Sequence, residues 1–264
     1  MLNLGLASAY VRQNGSPADL ARLAAIEAAS EDGAAGYGAV MTGQRHDGGF
    51  APFWVAHYSS VDATAFRLWQ VRPLDMAGER TATARAVRFL ASRQRDDGTF
   101  EEDPSVAALA RSWARPGDPS ARLYLTANAG FMLAIYRHRA EAGAAVGWVD
   151  REVQRPGAVL SPAAQWLAAA LLWTAARTER ASVLLAGLEP RLPDMEGDGL
   201  AWCLTSLLEA GLRPDFPILA QAWSLLETRQ RPDGSFDSLD GDAFTVQATL
   251  GVIQAAVLRA RNTV

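Results

Sequence analysis

The chain has 264 residues and a net charge of −4, all 25 of its basic residues are arginine, and it carries eight tryptophans and one cysteine. That length suits one large domain, and an acidic balance without a basic stripe interleaved with aromatics argues against a nucleic-acid surface. The single cysteine excludes an intramolecular disulfide, and Cys203, between Trp202 and Leu204, reads as a small buried apolar residue.

No stretch alternates long enough to suggest a sheet, so the class is all-α. Residues 1–11 are mildly apolar without a basic leader. No run has the length of a membrane span, and a cytoplasmic location is expected. An outer helix is predicted over 17–30, entered at Ser16 with Pro17 at its first position. QRHDGGF follows at 44–50, then the aromatic connection APFWVAHYSS at 51–60 and an inner helix over 61–71. A second outer helix, 81–93, runs into QRDDGTF at 94–100. Residues 103–113 and the loop RPGDPS at 115–120 precede an inner helix over 121–136. Between 142 and 192 the motif decays to Gln154-Arg155-Pro156-Gly157, while helical patterns continue over 162–176 and 180–188. Helices over 199–210, 216–229 and 242–261 complete the series, with QRPDGSF at 230–236. Each motif ends a helical pattern in an Asp-Gly or Gly-Gly turn, so the unit is a helix hairpin that buries its apolar face against its neighbours. Five inner helices result, with a sixth to come from the amino-terminal segment.

The three QRxDGxF runs resemble the glutamine-rich repeats of the squalene cyclase and prenyltransferase superfamily, with Phe where the cyclases usually have Trp. The resemblance implies an α/α toroid of about five to six helix hairpins, here one domain over 1–264. In it the Gln of each repeat is tied to its own turn. It further implies parallel inner helices, whose amino-terminal ends would bring Asp62, Tyr124, Gln165, Asp198 and Asp242 to one rim.

Class II terpene cyclases begin by protonating an alkene or epoxide with the middle Asp of an Asp-x-Asp-Asp-Thr-Ala segment. Ser60-Val61-Asp62-Ala63-Thr64-Ala65 places Asp62 on the acid, with Ser60 and Ala63 where supporting carboxylates are expected. Asp240-Gly241-Asp242-Ala243 keeps two carboxylates and places Asp242 on the acid. A proton donor of this kind needs burial or a neighbouring carboxylate to stay protonated, whereas a helix amino terminus favours the ionised form and makes an Asp a helix cap. Thr64, Ala65 and the position of Trp69 two turns along favour Asp62 over Asp242.

Trp69, Trp166, Trp173 and Trp202 fall inside inner helices, and with Phe66 and Phe131 would line a bore that holds an isoprenoid chain and steadies carbocations. At least two of the tryptophans are expected to face one space, the plain alternative being ordinary core packing. His57, Tyr58 and Tyr124 lie at the expected rim, where they could orient an acid or contact substrate. All three histidines precede Cys203, unlike the zinc ligands of protein prenyltransferases, so no metal site is expected. Asp96-Asp97-Gly98-Thr99-Phe100-Glu101 spells a magnesium motif, but Asp97-Gly98 is already used by the repeat turn. No organic cofactor is expected. The implied ligand is an apolar, isoprenoid-like small molecule in a cavity on the order of several hundred Å³, with a peripheral membrane contact or partner domain as further expectations. Two other readings stay open: a toroid that binds lipid or protein without catalysis, and a carbohydrate-active toroid in which Asp62 and Asp242 flank a sugar.

Overall fold

The computed structural model describes residues 2–28 and 34–262, so the expected helix end at Ser30 lies outside the described residues. Among these there are twelve α-helices and no strand. An outer layer is formed by α1 (Leu4–Asn14), α3 (Ala34–Val40), α5 (Thr81–Arg93), α7 (Arg139–Glu152), α9 (Thr178–Leu188) and α11 (Pro217–Arg229). The inner layer is α2 (Pro17–Ala28), α4 (Val61–Val71), α6 (Pro119–Ile135), α8 (Pro162–Thr174), α10 (Gly197–Glu209) and α12 (Thr245–Arg261). Inner helices pack in sequence, α4 on α6, α6 on α8, α8 on α10, α10 on α12 and α12 on α2. Arg22 of α2 closes the ring, its Nε donating to the Gln70 carbonyl at the end of α4 (3.1 Å) and its guanidinium lying over the Trp69 ring.

The inner helices α6 and α8 are apolar all round because each meets two inner neighbours and an outer helix. In α6 every residue from Leu123 to Leu133 is buried, and in α8 every residue from Ala164 to Leu172. Their starts are fixed locally: Asp118 and Ser161 cap the first turn with their side chains, and Pro119 and Pro162 occupy the first helical position, where a missing N–H costs nothing.

Each motif performs the same three tasks. The Gln amide donates to a carbonyl of its own turn and to the first turn of the next outer helix: Gln44 to Gly48 and Ala82, Gln94 to Gly98 and Glu141, Gln230 to Gly234 and Asn3. The Phe backbone N–H donates to a buried Thr on the following inner helix, Phe50 to Thr64, Phe100 to Thr126 and Phe236 to Thr249. The Phe rings are 0–3% exposed, and burial of each contributes about 2 kcal/mol or more. In the third copy the next outer helix is α1 at the far end of the sequence, so this motif joins the two chain termini.

One expectation needs correction. The helix at residues 17–28 is inner, not outer, because α1 takes the outer place beside α12 and α2. The connection before α6 holds short 3-10 turns at Pro104–Val106 and Ser112–Ala114, and through Trp113 it meets Asp62 at the start of α4.

Candidate active site

The rim where the inner helices begin carries the only convergence of enclosed carboxyls with bore aromatics among the described residues. Ser60 is the cap of α4, its Oγ accepting from Ala63 N (3.0 Å), which frees Asp62 from capping duty. The other donors at this helix start go to Glu102. That fully buried carboxylate accepts from Val61 N (3.0 Å), Asp62 N (3.1 Å), Ser60 Oγ (2.6 Å) and Tyr58 Oη (2.8 Å). Four donors and a helix amino terminus are what a buried negative charge requires. Glu102 reaches α4 because Phe100 is pinned to Thr126 and the following backbone is extended. Glu101 therefore turns the other way, to Arg95 (2.6 Å) and Arg122.

Asp62 is half-buried by surface, yet its carboxyl is ringed by protein. Tyr124 Oη of α6 donates to its Oδ1 (2.8 Å), and Trp113 Nε1, from the connection before α6, donates to its Oδ2 (3.1 Å). Burial raises the carboxyl to about 6, with the charges of Glu102 and Asp240 pushing the same way and the Tyr124 and Trp113 bonds pulling it down. The neighbouring carboxylate missing at 60 and 63 is thus supplied across the fold by Glu102. Sequence reasoning passed over both Glu102 and Trp113. The other two motifs offered no signal for Glu102, since Pro52 and Ser238 stand two residues beyond their Phe.

The arrangement recurs across the ring with a different result. Asp198, second residue of α10 as Asp62 is of α4, accepts from Leu239 N (3.1 Å) and Ser238 Oγ, so its Oδ2 is committed to the rim backbone. Asp237, directly after the third motif, takes the Gly197 N–H (3.0 Å). Asp240 acts electrostatically on Asp62 and is itself acted on by Asp198. Burial and the charge of Asp198 raise it, and Arg111 opposes.

Asp62, Phe66 and Trp69 share one face of α4 at helical spacing, and Phe66 stacks on Trp69 with centroids 5.7 Å apart. Phe66 remains 38% exposed. Across the bore, Tyr124, Trp202 and Trp166 form a chain of edge contacts, at 6.5 Å and 5.6 Å, from α6, α10 and α8. The indole N–H groups of Trp69, Trp166 and Trp202 are buried without a hydrogen-bond partner among the described residues.

Other expected site residues lie elsewhere. Trp173 shares α8 with Trp166 but sits at its far end against Phe216 (5.5 Å), so the four tryptophans come from three inner helices. Phe131 is 1% exposed and belongs to the packed core. Gln165 is in the first turn of α8, but its side chain turns to the outer layer. It ties α8 to the Leu184 carbonyl of α9. His57 is exposed, its carbonyl held by Arg45, and Tyr58 acts on Glu102 rather than on Asp62. Asp242 is exposed on the 3-10 turn Asp242–Phe244, because α12 begins only at Thr245 and Gly241, at φ +94°, turns the chain outward before it. Asp242 therefore lacks the enclosure that surrounds Asp62. Asp97 is used in its turn, accepting from Thr99 N (3.0 Å) and Thr99 Oγ1.

Two cavities in the structure lie away from Asp62. One, of about 20 Å³, lies between Arg72, Met76, Glu209 and Gln254, and an open cleft of about 450 Å³ lies beside His46, Arg85 and Arg88. The space of several hundred Å³ expected beside the acid is not one of them.

No protein-family model matches the sequence, and no curated protein does. Solved structures do match. Type II terpene cyclase MstE from Scytonema, as an R337A variant in complex with geranylgeranyl dihydroxybenzoate, its substrate, is 17% identical with a TM-score of 0.57 over 97% of this chain and 87% of that one. The chain has a class II terpene cyclase-like toroid fold. The apo form of MstE gives a TM-score of 0.56 at 17% identity, over 93% of this chain and 88% of that one. A protein from Actinoplanes gives 0.57 at 20% identity, over 92% and 90%.

Proposed function

We propose that this protein is an acid-initiated cyclase of an isoprenoid-type substrate, with Asp62 as proton donor. The observation that carries the reading is an enclosed carboxyl raised to about 6, at the rim end of a helix face that continues as Phe66 and Trp69. In the proposed step the Asp62 O–H proton passes to an alkene carbon, whose π electrons form the new C–H bond. The resulting tertiary cation is attacked by the next alkene to make a C–C bond, the final cation loses a proton to water, and solvent returns a proton to Asp62. The carboxylate left on Asp62 keeps the Tyr124 hydroxyl as hydrogen-bond donor. Aromatic faces along the bore favour the passing cation by up to about 2 kcal/mol each.

MstE takes geranylgeranyl dihydroxybenzoate, and that prenylated arene is the first substrate to test here. Incubation should yield isomers of unchanged mass with fewer alkenes. Asp62→Asn should abolish them, and Asp242→Asn should not. Product retained by Asp62→Asn removes Asp62 from the role, and no product from wild-type protein removes the cyclase reading. The packing of Tyr124, Trp166 and Trp202 against one another favours one second reading, a toroid that binds an apolar ligand without converting it. Quenching of tryptophan fluorescence by the prenylated arene, without turnover, would select it.

A further inference from the structure

The two hydrogen bonds on Asp62 are chemically unequal. Tyr124 comes from the buried wall of α6, and its hydroxyl can donate to a carboxylate or accept from a carboxylic acid. Trp113 comes from the rim connection, on the 3-10 turn Ser112–Ala114, and is 36% exposed. Its indole N–H can only donate. It therefore favours the ionised carboxyl and cannot take part in holding the proton. It also occupies Oδ2, the oxygen on the side of the exposed loop, while the wall-bound Tyr124 occupies Oδ1.

We propose that Trp113 is a positioning residue that latches Asp62 in its unreactive, ionised form until ligand in the bore mouth displaces the loop that carries it. The proposal rests on the reading of Asp62 as the acid. Departure of Trp113 would do two things together: it would open Oδ2 to an alkene, and it would remove a donor that stabilises negative charge. The groups that act on Asp62 from outside the displaced turn are Glu102, anchored by its four hydrogen bonds to Tyr58 and the start of α4, Tyr124 from α6, and Asp240 from the connection before α12, itself raised by Asp198 of α10. Arg111, which opposes the rise of Asp240, caps the turn that carries Trp113 and leaves with it. Both carboxylates favour the protonated form, so removing the Trp113 bond tips the balance toward a ready acid.

The test follows the Asp62 carboxyl by infrared titration, with Asp62→Asn as the subtraction baseline, and needs no turnover. Trp113→Phe, which keeps a ring and loses the N–H, should move the Asp62 midpoint upward by about half a unit or more. Trp113→Leu should do the same if the N–H is what matters, and serves should the Phe variant fold poorly. An unmoved or lowered midpoint overturns the latch. Geranylgeraniol should then raise the midpoint more in wild type than in Trp113→Phe, since only wild type has the bond to lose. Equal rises, or none in either, overturn displacement by ligand. If wild type turns over, Trp113→Phe should shift the alkaline limb of its pH profile upward, about threefold in rate at pH 8 for half a unit. Absence of turnover would sink the cyclase reading alone, because the free-protein titration still decides what Trp113 does to Asp62.

Discussion

Asp62 is enclosed beside a second carboxylate and bonded by only two neutral donors, so its charge is disfavoured in the folded state and unhindered in the unfolded one. Its folded value, about 6, lies above the ordinary 3.8, so below about pH 4 both states hold the proton and stability is unaffected. Between the two values the unfolded chain releases a proton that the folded chain keeps, and stability falls as pH rises, by on the order of 2 to 3 kcal/mol once pH exceeds 6. Asp62→Asn has no such loss and can keep both bonds, its Oδ1 accepting from Trp113 and its amide donating to Tyr124. It should therefore melt above wild type at pH 8 and level with it at pH 4. Equal or lower melting at pH 8 would mean that the carboxyl is better solvated than its surroundings imply. The helix start that presents this residue was legible in Ser60-Val61-Asp62-Ala63-Thr64-Ala65. Its charge partner was not, because Glu102 lies 40 residues away and arrives only through the ladder of repeats.

The repeat turn was the most legible element, since QRxDGxF combines a turn, a capping amide and a buried ring in seven residues. Gly98 shows how strictly it is built: φ is +87°, and a Cβ there would stand 2.6 Å from the Ala144 carbonyl of α7. Gly98→Val would meet a left-handed backbone and a backbone clash together, and should cost about 3 kcal/mol or more. Thermal melting reads this, with the Asp62 titration midpoint unchanged in whatever fraction folds. A loss below about 1 kcal/mol would mean that α7 shifts to make room. What the motif could not convey was which layer each helix joins. Residues 17–28 look like an outer helix because they precede a repeat turn, and they become inner because α1 packs outside them. The tryptophans mislead for a related reason. Helical spacing assigns Trp166 and Trp173 to one helix but not to one end of it, and the far end meets Phe216 instead of the bore.

The toroid as a whole is closed by parts distant in sequence, and two seams do it. On the inner side the fully buried Arg22 holds the Gln70 carbonyl and the Gln247 amide oxygen, joining α2 to α4 and α12. Burial lowers its guanidinium to about 10, and Asp19 offsets part of this. On the outer side Gln230 pairs with both backbone groups of Asn3, accepting from its N–H (2.7 Å) and donating to its carbonyl (2.9 Å). Gln44 and Gln94 make the corresponding outward bond between helices that the chain already connects, whereas Gln230 makes it between segments 227 residues apart. Gln230→Ala should therefore act on the ring more than on its own turn. Losing these bonds costs about 1 to 2 kcal/mol, a fall of roughly 2 to 8 °C in melting for a chain of this size. Hydrogen exchange should quicken in α1 and leave α6 and α8 at wild-type rates, because opening one seam does not uncover the opposite wall. Faster exchange throughout α6 and α8 would mean that the ring unfolds as one unit. Unchanged exchange in α1 would mean that Ala7 and Val11, packed with Leu250 and Ile253, hold the seam without the glutamine.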